Sequence, residues 1–468
     1  MQVLRTRNVQ PSLWESVLPE ICLRLPAELE RVDAWLDDER FFAPFVAHFD
    51  PRIGRPSVPM ETYLRLMFLK HRYRLGFESL CAEVSDSISW RRFCRIDIDG
   101  RLPHPTTLMK ITTRCGEVTV AALNDELLAK ACQARLVKTG KVRADTTVVS
   151  ANVDYPTDTG LLARAVSKMS RLVGRIRAVG AATRTPFQDR TRAAGRRVRS
   201  IAAHLRLRSA QAREQTQATV ARITAELAGL ARRTCNQAQA VLRNARRALT
   251  RTTGRAKGRL RRAVNELTVT LQRSRRVIAQ ARVRLAGGKP ESATRLVSLH
   301  DPQARPIAKG RLSRPIEFGY KAQVVDNADG IVLDHTVEEG NPADAPQLAP
   351  AVERITRRAG TPPRAVAADR GYGDAAVEND LHDAGVRTVA IPRKGSPGAA
   401  RQAHERQPGF RRLVKWRTGC EGRISHLKHR YQWDRTRLDG LSGARIWCGY
   451  GVLAHNLAKV TALAVSNA

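Results

Sequence analysis

Aromatic side chains are scarce in this chain of 468 residues: Phe, Trp and Tyr together make up 5%. Acids are scarce as well, with 44 Asp+Glu against 81 Lys+Arg and a formal net charge of +37. So large an imbalance repels itself unless a polyanion is close, which makes nucleic acid the leading partner. Paired cysteines are missing: the eight are scattered and none forms a C-x-x-C. That argues against a zinc ribbon and fits reduced thiols in a cytoplasm. Residues 1–22 show no apolar leader core, because Arg5, Arg7 and Glu15 interrupt it. The most apolar stretch, residues 446–465, carries His455, Asn456 and Lys459 and reads as a packed helix, not a membrane span. Hydrophobic residues still make up 42%, enough for cores in about three domains at roughly 150 residues each.

The positive charge is concentrated. Residues 161–290 hold 32 Lys+Arg and four acids (Asp189, Glu214, Glu226 and Glu266), which leaves only +9 for the other 338 residues. Composition changes sharply at both ends, so residues 161–299 read as an insertion or separate module. Ala, Arg, Leu and Gln dominate it, and Pro186 is its only proline before Pro290, which predicts helix. Val220, Ile223, Leu227 and Leu230 recur at heptad-like steps, as do Val264, Leu267, Leu271 and Ile278. With turns expected at 180–186 and 254–258, two or three long helices would fold back as a hairpin. Solvated helix faces usually mix charge signs, and this one hardly does. Contact with a DNA or RNA backbone is therefore favoured over a purely structural arm, without any reading of bases.

The flanking regions differ in period. Residues 1–138 look helical: Met60, Tyr63, Leu64, Met67, Phe68 and His71 recur at helical steps after Pro59, and Gly76 is expected to end that helix. Two short helices over 77–84 and 87–93 follow, then a new start after Pro103-His104-Pro105, with Thr106 or Thr107 as N-cap. Such a bundle suits a helix-turn-helix, with Lys110 and Arg114 on one face as DNA contacts. From spacing alone, an ordinary helical packing domain is the favoured reading. After Leu136, β-rich runs appear at 142–149, 319–325, 331–337, 364–368 and 386–391, with a hairpin at 326–330 and helices at 346–358 and 375–384. Without the basic block this order predicts an α/β domain with a mixed sheet, over 139–160 and 300–468.

In so basic a chain, acids at strand ends matter. Asp145 lies in the first strand, and Asp369 ends the apolar run 365–368 before Arg370-Gly371. The carboxyl ends of buried α/β strands are where ligands usually sit. On a last helix starting near Phe410, Arg417, Glu421, Ile424 and Lys428 would share one face at ~100° per residue. Three converging carboxylates would repel one another unless they held hard cations such as Mg²⁺. Alternatively, Asp145 is a local cap and Glu421 is half of an i,i+4 pair with Arg417.

At these residues the chain resembles bacterial insertion-sequence transposases of the DDE class. Gly54-Arg55-Pro56 through Thr106-Thr107-Leu108 resembles the family's helical amino-terminal domain, and Arg143-Ala144-Asp145-Thr146-Thr147 its first-strand motif. Phe318-Gly319-Tyr320-Lys321-Ala322, the hairpin after it and Gly340-Asn341-Pro342-Ala343-Asp344 resemble its second and third strands. Ala368-Asp369-Arg370-Gly371-Tyr372 resembles its second-aspartate motif, and Arg417, Glu421 and Lys428 meet its R-x3-E-x6-K signature. Val414 stands where some members carry tyrosine.

The resemblance implies an RNase H-like catalytic core, with Asp145, Asp369 and Glu421 holding two Mg²⁺ or Mn²⁺ ions. It implies Arg417 and Lys428 on DNA phosphate, and Asp344 as a motif residue outside the catalytic set. Asp374 and Glu378 are the alternative acids. The expected activity is cleavage at transposon ends and strand transfer into target DNA, by a homodimer holding terminal inverted repeats, in a bacterial cytoplasm and away from membranes. The rival readings are a non-enzymatic basic DNA-binding protein and a metal-dependent nuclease without strand transfer.

Overall fold

The computed structural model describes residues 2–4, 17–206, 210–308 and 315–466. Residues 5–16, part of the stretch read above for a leader, lie outside them. The chain forms two compact units, residues 1–152 with 320–468, and residues 153–319.

Apart from elements of four residues or fewer, the first unit begins with α1 (Ala27–Leu36), α2 (Met60–Arg72), α3 (Phe77–Asp86), α4 (Ile88–Phe93) and α5 (Pro105–Gln133). Pro59 is the N-cap of α2, whose Met60, Tyr63, Leu64, Met67 and Phe68 are all buried, as their spacing requires. Gly76 does not end that helix. It caps the next one, its N–H donating to Ser79 Oγ at 2.9 Å, while α2 has already stopped at Arg72. Helix α5 likewise starts earlier than expected, because Pro105 itself is its first residue and His104 Nδ1 accepts from Thr106 N. It runs past Cys115 to Gln133, across a kink at Gly116 (φ 70°). Strand β1 (Lys141–Ser150) follows.

The second unit contains α6 (Asp158–Arg177), α7 (Thr191–His204), α8 (Ala210–Arg251) and α9 (Gly254–Leu285). That is four helices where two or three were expected. Leu227, Ala231, Ala238 and Leu242 of α8 pack with Leu260, Leu267, Leu271 and Ile278 of α9 and with Leu162, Met169 and Val173 of α6. The α8–α9 turn is tighter than expected: Gly254, at φ +59°, already opens α9, and Gly258 lies inside it. Strand β2 (Arg305–Ala308), which alternation had not revealed, pairs antiparallel with the first residues of β3 (Ile316–Asn327).

Strand β3 continues into the first unit and turns at Gly330 (φ +80°) into β4 (Val332–Glu339), its antiparallel partner. Then come α10 (Ala345–Ala359), β5 (Ala365–Ala367), α11 (Ala375–Asp383), β6 (Thr388–Ala390), α12 (Ala399–Arg406), α13 (Pro408–Arg417), α14 (Gly419–Arg430) and α15 (Gly440–Ser466). The strand order is β4-β3-β1-β5-β6, with β5 parallel to both β1 and β6. Strand alternation sorts the two faces. Val142, Ala144, Val366 and Ala368 pack with Leu348, Val352 and Ile355 of α10 and Leu381 of α11. On the other face the small Ala367 and Ala390 leave room for Phe410, Leu413 and Trp416 of α13.

Helix α15 closes the first unit. Asn456 bonds both the N–H (3.0 Å) and the C=O (2.8 Å) of Val332, which covers the free edge of β4. No helix among the described residues is long and apolar enough to cross a membrane.

Candidate active site

The parallel register of β1 and β5 pairs Val142 with Val366 and Arg143 with Ala367. Continued by two residues, it sets Asp145 opposite Asp369. Both share the odd-numbered face that α13 and α14 cover, and both sit where β5 has just ended. Asp369 leaves the strand as the cap of a short 3₁₀ turn, its Oδ1 accepting from Gly371 N at 2.8 Å. Asp145 Oδ1 accepts from Thr146 N, also at 2.8 Å.

The third acid reaches the site through an arginine. Arg417 Nη1 donates to Asp145 Oδ2 at 2.8 Å, and its Nη2 donates to Glu421 Oε1 at 3.0 Å. The expected single helix face is realised across two helices, since α13 ends at Arg417 and α14 begins at Gly419. Glu421 belongs to the penultimate helix, not the last, and its side chain is 62% exposed. The i,i+4 pair and the approach to the strand carboxylates therefore coexist. Lys428 is half-buried two turns further along α14, near enough to Cys448 to lower the thiol's pKa against the stronger upward push of burial. Lys110 and Arg114 are both exposed on α5, with the Arg114 guanidinium 5.5 Å from the Phe49 ring centre.

Electrostatics mark the two aspartates out. Burial pushes the Asp145 carboxyl up to about 6, with Asp369 and Glu421 raising it further against the pull of Thr146 N–H and Arg417. Burial also raises Asp369, and Asp344 adds to it. Burial works against the Arg417 charge, but Asp145, Glu421 and Asp369 outweigh it and hold the guanidinium above its usual pKa.

Asp344 is the neighbour whose position the motif alone did not convey. Its Oδ1 lies 2.7 Å from Lys321 Nζ. A Cβ built on Gly371 would meet Asp369 Oδ1 at 2.9 Å and Asp344 Oδ2 at 3.0 Å, so only glycine lets the two carboxylates crowd that amide. Beneath them Tyr372 is buried and accepts a hydrogen bond from Gln323 Nε2 at 3.0 Å. Burial raises its phenol well above the usual value, and Asp344, Asp145 and Asp369 add to that.

A second feature was not read from sequence. Arg143, on the same face as Asp145, forms a buried two-pronged pair with Asp326 (2.7 and 3.0 Å) and donates to Trp416 O at 2.8 Å. It locks β1 to β3 and to the end of α13, where Arg417 projects. The alternative acids are committed elsewhere: Asp374 pairs with Lys394, and Glu378 with Arg393 and Arg401.

The donor set suits a hard divalent cation: oxygen ligands only, two of them with ionisation opposed by burial and by one another. No three His, Cys, Asp or Glu side chains among the described residues stand at metal-binding spacing; Glu421 lies on Arg417 instead.

The raised Asp145 has a measurable cost. The folded chain keeps this proton up to about pH 6, while the unfolded chain loses it near 3.8. The folded state therefore binds more protons between those values, and stability falls as pH rises through them. In metal-free buffer, Asp145→Asn should match the parent near pH 4 and be the more stable by on the order of 2 kcal/mol at pH 7.5. Denaturation midpoints across that range would check it; a variant less stable at pH 7.5 would mean that the Arg417 pair outweighs the burial cost.

The chain matches two protein families in succession. Residues 22–114 match a transposase domain (DUF772), and residues 295–457 match the transposase DDE domain. No protein of curated function and no solved structure matches it. The second match includes β5 with Asp369 and α13–α14 with Glu421, and the sheet order β4-β3-β1-β5-β6 is its RNase H-like core. With a helical transposase domain ahead of that core, the chain is a DDE transposase of the insertion-sequence type.

Proposed function

We propose that this transposase hydrolyses a phosphodiester bond at each transposon end and then joins the freed 3′-hydroxyl to target DNA. The observation that carries the reading is the β1–β5 register, which sets Asp145 beside Asp369 with Glu421 one arginine away. Asp145, Asp369 and Glu421 would hold two Mg²⁺ or Mn²⁺ ions, which supply Lewis acidity toward the attacking and leaving oxygens of an in-line displacement. Arg417 neutralises Asp145 and Glu421 until DNA arrives. A phosphate that competed for the guanidinium would leave both carboxylates free to hold the cations. Its planar fork suits phosphate as well as carboxylate. Lys428, on α14 with Glu421, adds a second positive charge for the DNA strand. Lys110 and Arg114 extend the contact to the terminal inverted repeats, and a homodimer holds the two ends together.

The test uses the short inverted repeats flanking the coding region as labelled duplex ends. With Mg²⁺ or Mn²⁺ the chain should nick each end to a 3′-hydroxyl and yield end–target joints; chelator should stop both while binding persists. Cutting without joints would reduce the activity to a nuclease, and binding without cutting would leave a DNA-binding protein.

A further inference from the structure

The second unit does not carry its charge uniformly. Where helices pack together, most acids are paired: Asp158 with Arg284, Glu266 with Lys168 and Arg175, and Glu226 with Arg197 and Arg222. The end of the α8–α9 hairpin is different. Residues 243–262 contain nine Lys+Arg and not one Asp or Glu, and all nine side chains are exposed.

Their placement follows from the heptad-like packing. Ala238, Leu242 and Ala245 on α8 and Leu260, Ala263 and Leu267 on α9 are buried between the helices. At 100° per residue, Arg243, Arg247 and Arg251 then fall on the outer side of α8, and Arg255, Arg261 and Arg262 on the outer side of α9. Helix α6 has ended at Arg177, whose salt-bridging neighbour Arg175 reaches Glu266. From there to the turn at Thr252-Thr253 the two helices carry uncompensated charge on both outer faces.

We infer that this hairpin end is a sequence-independent binding surface for the phosphate backbone of duplex DNA. Charge complementarity selects the partner: nine unopposed cations on roughly 12–15 Å of paired helix, at ~1.5 Å per residue, meet a polymer with one negative charge per ~1.7 Å. Thickness excludes base reading. Two helices with axes ~8–10 Å apart are too broad for a major groove of ~12 Å that admits one. Eight of the nine cations are arginines and most of the rest of this surface is Thr, Ala and Asn, which suits backbone contact and not base discrimination. This surface does not depend on the metal-site reading, since it needs no acid of the first unit.

Two charge-matched variants of the full chain test it. In the first, Arg243, Arg247, Arg251, Arg255 and Arg261 become Gln; in the second, the acid-paired Arg164, Arg175, Arg197, Arg222 and Arg284 become Gln. Circular dichroism and melting check that both fold. Binding to a random-sequence duplex is then titrated at several salt concentrations. The hairpin-end variant should lose at least about ten-fold in affinity near 0.1 M salt and flatten the log K–log salt slope by about four units. The paired-arginine variant should change the slope by less than about one unit. Equal losses would overturn the inference in favour of a net-charge effect. So would unchanged duplex binding by the hairpin-end variant, including the case where it instead loses binding to anionic phospholipid vesicles.

Discussion

Asp145→Asn and Asp369→Asn are each expected to bind transposon-end DNA with the affinity of the parent chain and to cleave it at least about 10³-fold more slowly, the scale on which removal of one preorganised charge-stabilising group acts. The substitution keeps the side-chain volume on a buried sheet face, so the core around Ala144 and Ala368 is undisturbed. What it removes is a hard, charged oxygen donor. Glu421→Gln should fall as far, although it removes an exposed carboxylate whose folded-state partner is Arg417. Asp344→Asn should lose less, about 10–100-fold, as for a group that orients a ligand without being one. Its carboxylate shares the Gly371 amide region with Asp369 and is held by Lys321. Single-turnover cleavage and gel-shift titrations on the same preparations separate the steps. Cleavage by Asp369→Asn at the parental rate would remove the second strand from the site altogether. If Asp344→Asn were as damaging as Asp369→Asn, the catalytic set would have four acids.

How much of this was legible follows from what each residue depends on. The strands around Asp145 and Asp369 were readable because alternation and apolar runs are local, and both lie within a residue or two of their expected bounds. Their adjacency was conditional in the sequence: parallel pairing of β1 with β5 spans more than 200 residues and leaves no local trace. The helix signature was legible as spacing, yet the break at Thr418 and the outward Glu421 depend on where Arg417 finds its charge partners. Helix ends were missed by a few residues, with Gly76 capping the next helix instead of ending the last and His104 capping two residues before Thr106, because several acceptable caps stood close together and tertiary packing chose among them. The net charge of residues 161–290 was plain arithmetic. Which of those charges are compensated was not, since Arg284 and Asp158, or Arg175 and Glu266, meet only after the helices fold back.

The least legible feature also carries the largest expected effect on stability. Asp326, the penultimate residue of β3, has its side chain fully buried, and it faces two arginines from different elements, Arg143 of β1 and Arg423 of α14. In the sequence it is only the first residue of the hairpin turn. Its removal by Asp326→Ala strands the Arg143 guanidinium in the interior with one remaining acceptor, the Trp416 carbonyl. Breaking a buried ion pair from one side typically costs about 3–5 kcal/mol, because the partner's desolvation is no longer offset. The tight fit leaves little room for relief. A Cβ on Gly419 would run into the Arg143 guanidinium, and one on Gly330 into that of Arg423. Chemical denaturation of Asp326→Ala should therefore show a loss within that range, and the double variant Arg143→Met/Asp326→Leu should recover a large part of it by removing both charges at once. Because Arg143 also holds the end of α13, where Arg417 projects toward Asp145, the double variant should remain slow in end cleavage even when its stability returns. A loss below about 1 kcal/mol for Asp326→Ala would show that water reaches Arg143. Full cleavage by the restored double variant would show that Arg417 finds its place without that anchor.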